Sequence, residues 1–155
     1  MPIVQDLTMN KIKLFTIGFT KKNAESFFGK LKKSGVVKLI DIRLNNVSQL
    51  AGFTKKDDLK YFLKKICDCD YVHVPLFAPT KEILDAYKKK EITWPEYEKR
   101  FNDLLIYRKA HTLISSSELH MACLLCSEPT PEKCHRRLVA EFFKNGFEHI
   151  EIIHL

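Results

Sequence analysis

Between Cys126 and Arg137 the chain places two thiols, an imidazole and two guanidinium groups in one short run, Cys126-Ser127-Glu128-Pro129-Thr130-Pro131-Glu132-Lys133-Cys134-His135-Arg136-Arg137. A thiol acts as nucleophile, redox centre or metal ligand only as its thiolate, a form that neighbouring cations and helix amino termini favour. The run joins an apolar segment, Met121 to Cys126, to a helical pattern through Leu138, Val139, Phe142 and Phe143. Thr130 reads as the cap of that helix, Pro131 as its first residue and Glu132 as a favourable charge at the positive end of its dipole. Cys134, His135 and Arg136 then fall in the opening turns, where side chains lean back toward the amino end. Cys126 and Cys134 become candidate nucleophiles or redox thiols, Glu128 a candidate proton carrier, and His135 and Arg136 candidate ligand-binding groups. The competing reading packs Cys134 against a sheet, one turn before Leu138.

Asp41 and Arg43 form a second constellation, two residues apart at the end of the aliphatic run Val37 to Ile42. On an extended strand such side chains leave the same face at roughly 6.6 Å spacing. Arg43 can grip an anionic group by a two-pronged contact, with Asp41 orienting it or acting as a base; alternatively the two pair with each other and tie down a loop. His73 closes the strand-like Tyr71-Val72-His73-Val74 before Pro75, and Gly18 ends Leu14-Phe15-Thr16-Ile17.

The remaining cysteines carry less. Cys123 and Cys126 are three apart on a strand and point to opposite faces, so Cys123 reads as a small core residue. Cys67 and Cys69 flank Asp68 and do not face each other. Zinc is disfavoured because adjacent helical residues diverge by about 100 degrees, which separates Cys134 from His135; no metal ligands are assigned, and no cofactor is called for. A phosphatase-type anion loop after Cys126 fits poorly, since Glu132 stands where its arginine belongs and Pro129 and Pro131 each lack an N–H donor.

The elements that must position these groups alternate. Leu14 to Ile17, Val37 to Ile42, Tyr71 to Val74, Met121 to Cys126 and Ile150 to Ile153 read as strands. Ala24, Phe27, Phe28 and Leu31 make a helical stripe ended by Gly35; Thr54 caps a helix burying Leu59, Phe62, Leu63 and Ile66. Thr80 caps a short helix through Tyr87, and Thr93 with Glu96 forms a capping box for a longer one carrying Trp94, Tyr97, Phe101, Leu104 and Leu105, with Trp94 and Tyr97 assigned to the core. This pattern predicts an α/β fold, a single-domain three-layer sandwich over residues 1–155 with a mainly parallel central sheet and helices on both faces. In such sheets ligands bind beyond the carboxyl ends of the strands. Gly18, Asp41, Arg43, His73, Cys126 and Glu128 all fall there, whereas His111, His120, His149 and His154 are placed outside this rim.

The chain has 155 residues, 26 Lys and Arg against 19 Asp and Glu, and a formal charge of +7. That balance attracts anionic ligands and keeps a nucleic-acid-binding role open, although the lysine pairs are spread along solvated helix faces. Five cysteines, an odd number, argue against a disulfide framework. With no apolar stretch of membrane-spanning length and no signal-like layout in Met1 to Lys11, the expectation is a cytoplasmic protein with reduced thiols and no membrane partner.

Taken in order, Thr16-Ile17-Gly18, Asp41-Ile42-Arg43 with Ser48, Tyr71-Val72-His73-Val74-Pro75, Leu124-Leu125-Cys126-Ser127-Glu128 and Cys134-His135-Arg136-Arg137 resemble the uncharacterised family of domains of unknown function numbered 488, over about residues 14–155. The resemblance implies a small intracellular α/β protein and names no reaction. Phe19-Thr20 replaces the family's usual histidine and serine, Asn46 its proline, and Leu76 to Glu82 its glycines, as in a variant subfamily. The leading expectation is an enzyme-like pocket for a small anionic ligand, a nucleotide or other phosphorylated compound, with thiol chemistry. A nucleic-acid-binding module and a zinc-structured interaction protein are the alternatives.

Overall fold

The computed structural model describes residues 11–46, 52–128 and 130–155. Ser48, Pro129 and the segment before Lys11, all invoked above, lie outside the described residues. Five strands, β1 (Ile12–Gly18), β2 (Lys38–Asp41), β3 (Asp70–His73), β4 (Ala122–Cys126) and β5 (Ile150–His154), form one sheet in the order β3-β2-β4-β1-β5. Every pairing is parallel. Among the described residues six α-helices connect them: α1 (Ala24–Ser34), α2 (Lys56–Phe62), α3 (Lys81–Lys88), α4 (Trp94–Tyr107), α5 (Ser116–Leu119) and α6 (His135–Gly146).

Alternation along the strands sorts the core into two layers. Leu14, Ile40, Ala122 and Leu124 face α4 and α6, where they meet Phe101, Leu105, Leu138, Val139 and Phe143. Phe15, Ile17, Leu39, Cys123 and Leu125 face the other way, onto Phe27, Phe28 and Leu31 of α1 and Leu59 of α2. Each Leu, Ile or Phe side chain among them, taken fully out of water, contributes about 1.5–3 kcal/mol, so the sheet is held from both sides. The expected three-layer α/β sandwich is the fold observed, and among the described residues no helix is long and apolar enough to cross a membrane.

Local signals set most helix limits. Asn23 Oδ1 accepts the Ser26 N–H at 2.8 Å, and Gly35 ends α1 at φ 75, a left-handed conformation that suits glycine. Thr80 and Thr93 cap α3 and α4. Three expectations fail. Glu96 does not complete a capping box, because its carboxylate pairs with Arg100 at 2.8 Å. Thr54 belongs to a short 3₁₀ turn and α2 starts after Lys55. Ile66 is 40% exposed, because α2 widens into a π turn over Leu63–Cys67 that rotates it off the buried stripe.

The start of α6 matters most. The Cys134 N–H bonds the Pro131 carbonyl at 3.3 Å, closing a turn, and Cys134 itself is extended, at φ −132 and ψ 139. The helix therefore begins at His135, later than a Thr130 cap would place it, and Cys134 is its N-cap.

Candidate functional site

Because all strands run the same way, their carboxyl ends share one rim. Gly18 lies opposite Cys126, and Asp41 opposite both His73 and Leu125. Cys126 ends the central strand with its side chain on the α6 side of the sheet, and the later helix start turns Cys134 back toward it. The two sulfurs and a ring nitrogen of His135 lie within 4.8 Å of one another, and Cys126 Sγ lies 3.3 Å from His135 Nδ1. The sequence-based argument that Cys134 and His135 diverge fails here, because only one of the two is helical.

His135 is oriented from its other side. Its Nε2 sits 2.7 Å from the Ile42 carbonyl, an oxygen that can only accept, so Nε2 carries the hydrogen and Nδ1 faces the thiol. Burial alone would push the Cys126 thiol up. The hydrogen bond from Cys134 and the charge and hydrogen bond of His135 outweigh burial and hold Cys126 well below the usual thiol range. Burial likewise opposes protonation of His135, yet the negative Cys126 raises it above the ordinary imidazole value. Cys134 moves the opposite way, raised by burial and then by Cys126, and stays the S–H donor of the pair. These directions favour charge separation between Cys126 and His135, with Cys134 protonated beside them.

This couple forms part of the wall of a cavity of about 640 Å³. Trp94, Tyr97 and Phe19 supply aromatic wall, with Trp94 and Tyr97 stacked at 4.7 Å between ring centroids. Among the described residues the lining carries four cationic side chains, Arg43, Lys81, Lys88 and Lys133, and two carboxylates, Asp85 and Glu128. Sequence reading had assigned Trp94 and Tyr97 to the core. Tyr97 is indeed 3% exposed, yet both also face this opening.

Other predicted groups reach the rim already engaged by protein partners. Asp41 is fully buried and holds Arg43 by two contacts, Arg43 Nε to Oδ1 and Nη2 to Oδ2, both 2.8 Å, while Tyr71 donates to Oδ2 at 2.6 Å. Arg43 also donates to the Thr54 carbonyl at 2.7 Å and stacks its guanidinium over Phe19. Arg43 thus lines the cavity from inside a pair with Asp41. His73 Nε2 bonds the Arg43 carbonyl at 2.7 Å, holding the same loop. Arg136 is fully buried, donating through Nη1 to the Glu128 carbonyl at 3.2 Å. Gly18 makes room for that arrangement: a Cβ there would stand 1.6 Å from the Glu128 oxygen and 2.5 Å from Arg136 Nη1.

Sequence reasoning missed one contributor to the cluster and one residue at a strand end. The Ile42 carbonyl fixes the histidine tautomer and leaves no side-chain signal. His154, placed outside the rim by sequence, ends β5 beside Thr16, with its Nδ1 bonded to the Thr16 hydroxyl; only the strand register reveals it.

Residues 23–143, well over half of the chain, match the sequence model of the family described as Domain of unknown function DUF488. The chain belongs to DUF488. Searches of curated proteins and of solved structures return no match. Within this DUF488 chain the matched span holds Asp41, Arg43, Cys126, Cys134 and His135, and it starts after Gly18.

Proposed function

We propose that this protein is an enzyme acting on a small anionic ligand with a planar ring, of the nucleotide class, through nucleophilic attack by Cys126. One observation carries the reading: a thiol 3.3 Å from an imidazole whose far nitrogen is anchored to a backbone carbonyl, in the wall of a cavity of about 640 Å³. Nucleophile, base and orienting group in that order are the parts of an activated thiol. The volume falls within the range of about 300–1,000 Å³ typical of small-molecule sites.

In this reading the ring lies against Trp94 and Phe19, and Lys81, Lys88 and Lys133 draw the anionic group. The Cys126 thiolate attacks an electrophilic centre of the ligand, forming a bond from sulfur as the bond to the leaving group breaks. The leaving group takes the proton from His135, which then serves as base for the water that releases the product. Asp41 holds Arg43 and its loop and has no part in proton transfer. The five unpaired thiols accord with a reducing, cytoplasmic setting.

The test uses Trp94, the sole tryptophan, as reporter. Nucleoside mono- and diphosphates are expected to change its fluorescence saturably and to protect Cys126 from iodoacetamide, with inorganic phosphate weaker. If neither signal responds to any nucleotide, the reading fails.

A further inference from the structure

We propose that Cys126, Cys134 and His135 form a binding site for a soft divalent cation of the zinc class, with one coordination position open to the cavity. This inference goes beyond the nucleophile reading and does not depend on it. The two thiol sulfurs and a ring nitrogen of His135 all lie within 4.8 Å of one another. Around a tetrahedral zinc ion, Zn–S bonds of about 2.3 Å and Zn–N bonds of about 2.0 Å put such atoms roughly 3.5–3.8 Å apart. The observed Cys126–His135 separation of 3.3 Å needs only a small spreading of side chains to admit an ion.

The groups behind the three ligands are already those a metal site needs. His135 Nε2 donates to the Ile42 carbonyl, which leaves Nδ1 as the ligating nitrogen. Cys134 is the N-cap of α6 and so stands at the helix amino end, where the dipole favours a thiolate. Two thiolates and an imidazole select a borderline or soft cation over magnesium or calcium. Three protein ligands, rather than four, define a site with room for water or a substrate atom, and here all three residues line the cavity. Loading would expel one proton from the Cys126–His135 couple and one from Cys134, so the ion and the free nucleophile are alternative states of one cluster.

Cobalt(II) titration of the full-length, reduced, chelator-stripped protein tests the site. The expected result is a saturable thiolate-to-cobalt charge-transfer band at one equivalent, with the intense visible bands of four-coordinate cobalt, both bleached by zinc. Cys126→Ser and Cys134→Ser should each abolish the charge-transfer band's saturation at one equivalent, and His135→Asn should shift the visible bands, whereas Cys67→Ser should leave everything unchanged. Circular dichroism confirms that each variant is folded; His135→Asn serves if a cysteine variant is not. No saturable band in the folded native protein, or a band that survives both cysteine changes, overturns the proposal. Rapid alkylation of Cys126 without any cobalt band also overturns it while leaving the nucleophile reading intact. A cobalt band with sluggish alkylation in the stripped protein supports the metal site and sinks only the nucleophile.

Discussion

His135 Nε2 lies 2.7 Å from the carbonyl oxygen of Ile42, joining the first residue of α6 to backbone just past β2, 93 positions earlier in the chain. That bond decides which ring nitrogen meets Cys126, so the thiol's surroundings depend on a contact remote in sequence. Replacing His135 with asparagine removes the partner of the Cys126 thiolate. A hydrogen bond to a charged group is worth about 1.5–3 kcal/mol, which predicts iodoacetamide alkylation of Cys126 slowed by about 10- to 100-fold, read by mass spectrometry over time.

Two other thiols, Cys69 and Cys123, supply an internal comparison. Burial pushes Cys69 up to about 12 and raises Cys123 well above the ordinary thiol value. At pH 8 both are expected to remain protonated and unlabelled in the folded protein while Cys126 reacts. Equal labelling of Cys69 and Cys126 under native conditions would contradict the arrangement described.

Asp41 and Arg43 are buried together, so breaking the pair strands one charge. Asp41→Ala is expected to lower unfolding free energy by about 3–5 kcal/mol. Tyr71→Phe removes only the 2.6 Å donor to the same carboxylate and should cost less, about 1.5 kcal/mol. Urea unfolding followed by Trp94 fluorescence measures both, and a neutral Asp41→Ala would remove the structural role assigned here.

Gly18→Ala tests the close approach at the end of β1. The added methyl would overlap the Glu128 carbonyl oxygen, so the Ser127–Glu128 backbone and Arg136 must shift. Overpacking of this kind costs about 1–3 kcal/mol. Because the displaced loop borders Cys126, the same change is also expected to alter alkylation of Cys126, whereas Gly29→Ala, in open space on α1, should do neither.

The features readable from sequence were those with short-range causes. Five apolar runs, the Gly35 stop and the Thr80 and Thr93 caps involve residues a few positions apart, and they specify the layers. The rim followed from parallel strands, which brought Gly18, Asp41, His73 and Cys126 to one edge. What escaped detection depended on contacts between distant segments or on backbone geometry. A turn closed by the Pro131 carbonyl delayed α6 and redirected Cys134. A π turn moved Ile66 outward. His154 reached the rim through its register with Thr16, and Trp94 and Tyr97 proved to serve both core and cavity, which a helical stripe does not disclose.

The strand order carries one more consequence. β4 is inserted between β1 and β2, although it comes after both in the chain. During synthesis or refolding, the facing edges of β1 and β2 must therefore wait for residues 122–126, and a chain cut before Ala122, which lacks β5 as well, would leave both edges of β1 and one of β2 open to intermolecular pairing. Such a fragment is expected to aggregate and to lack the cavity entirely, because the strand that joins β1 to β2 also delivers the thiol.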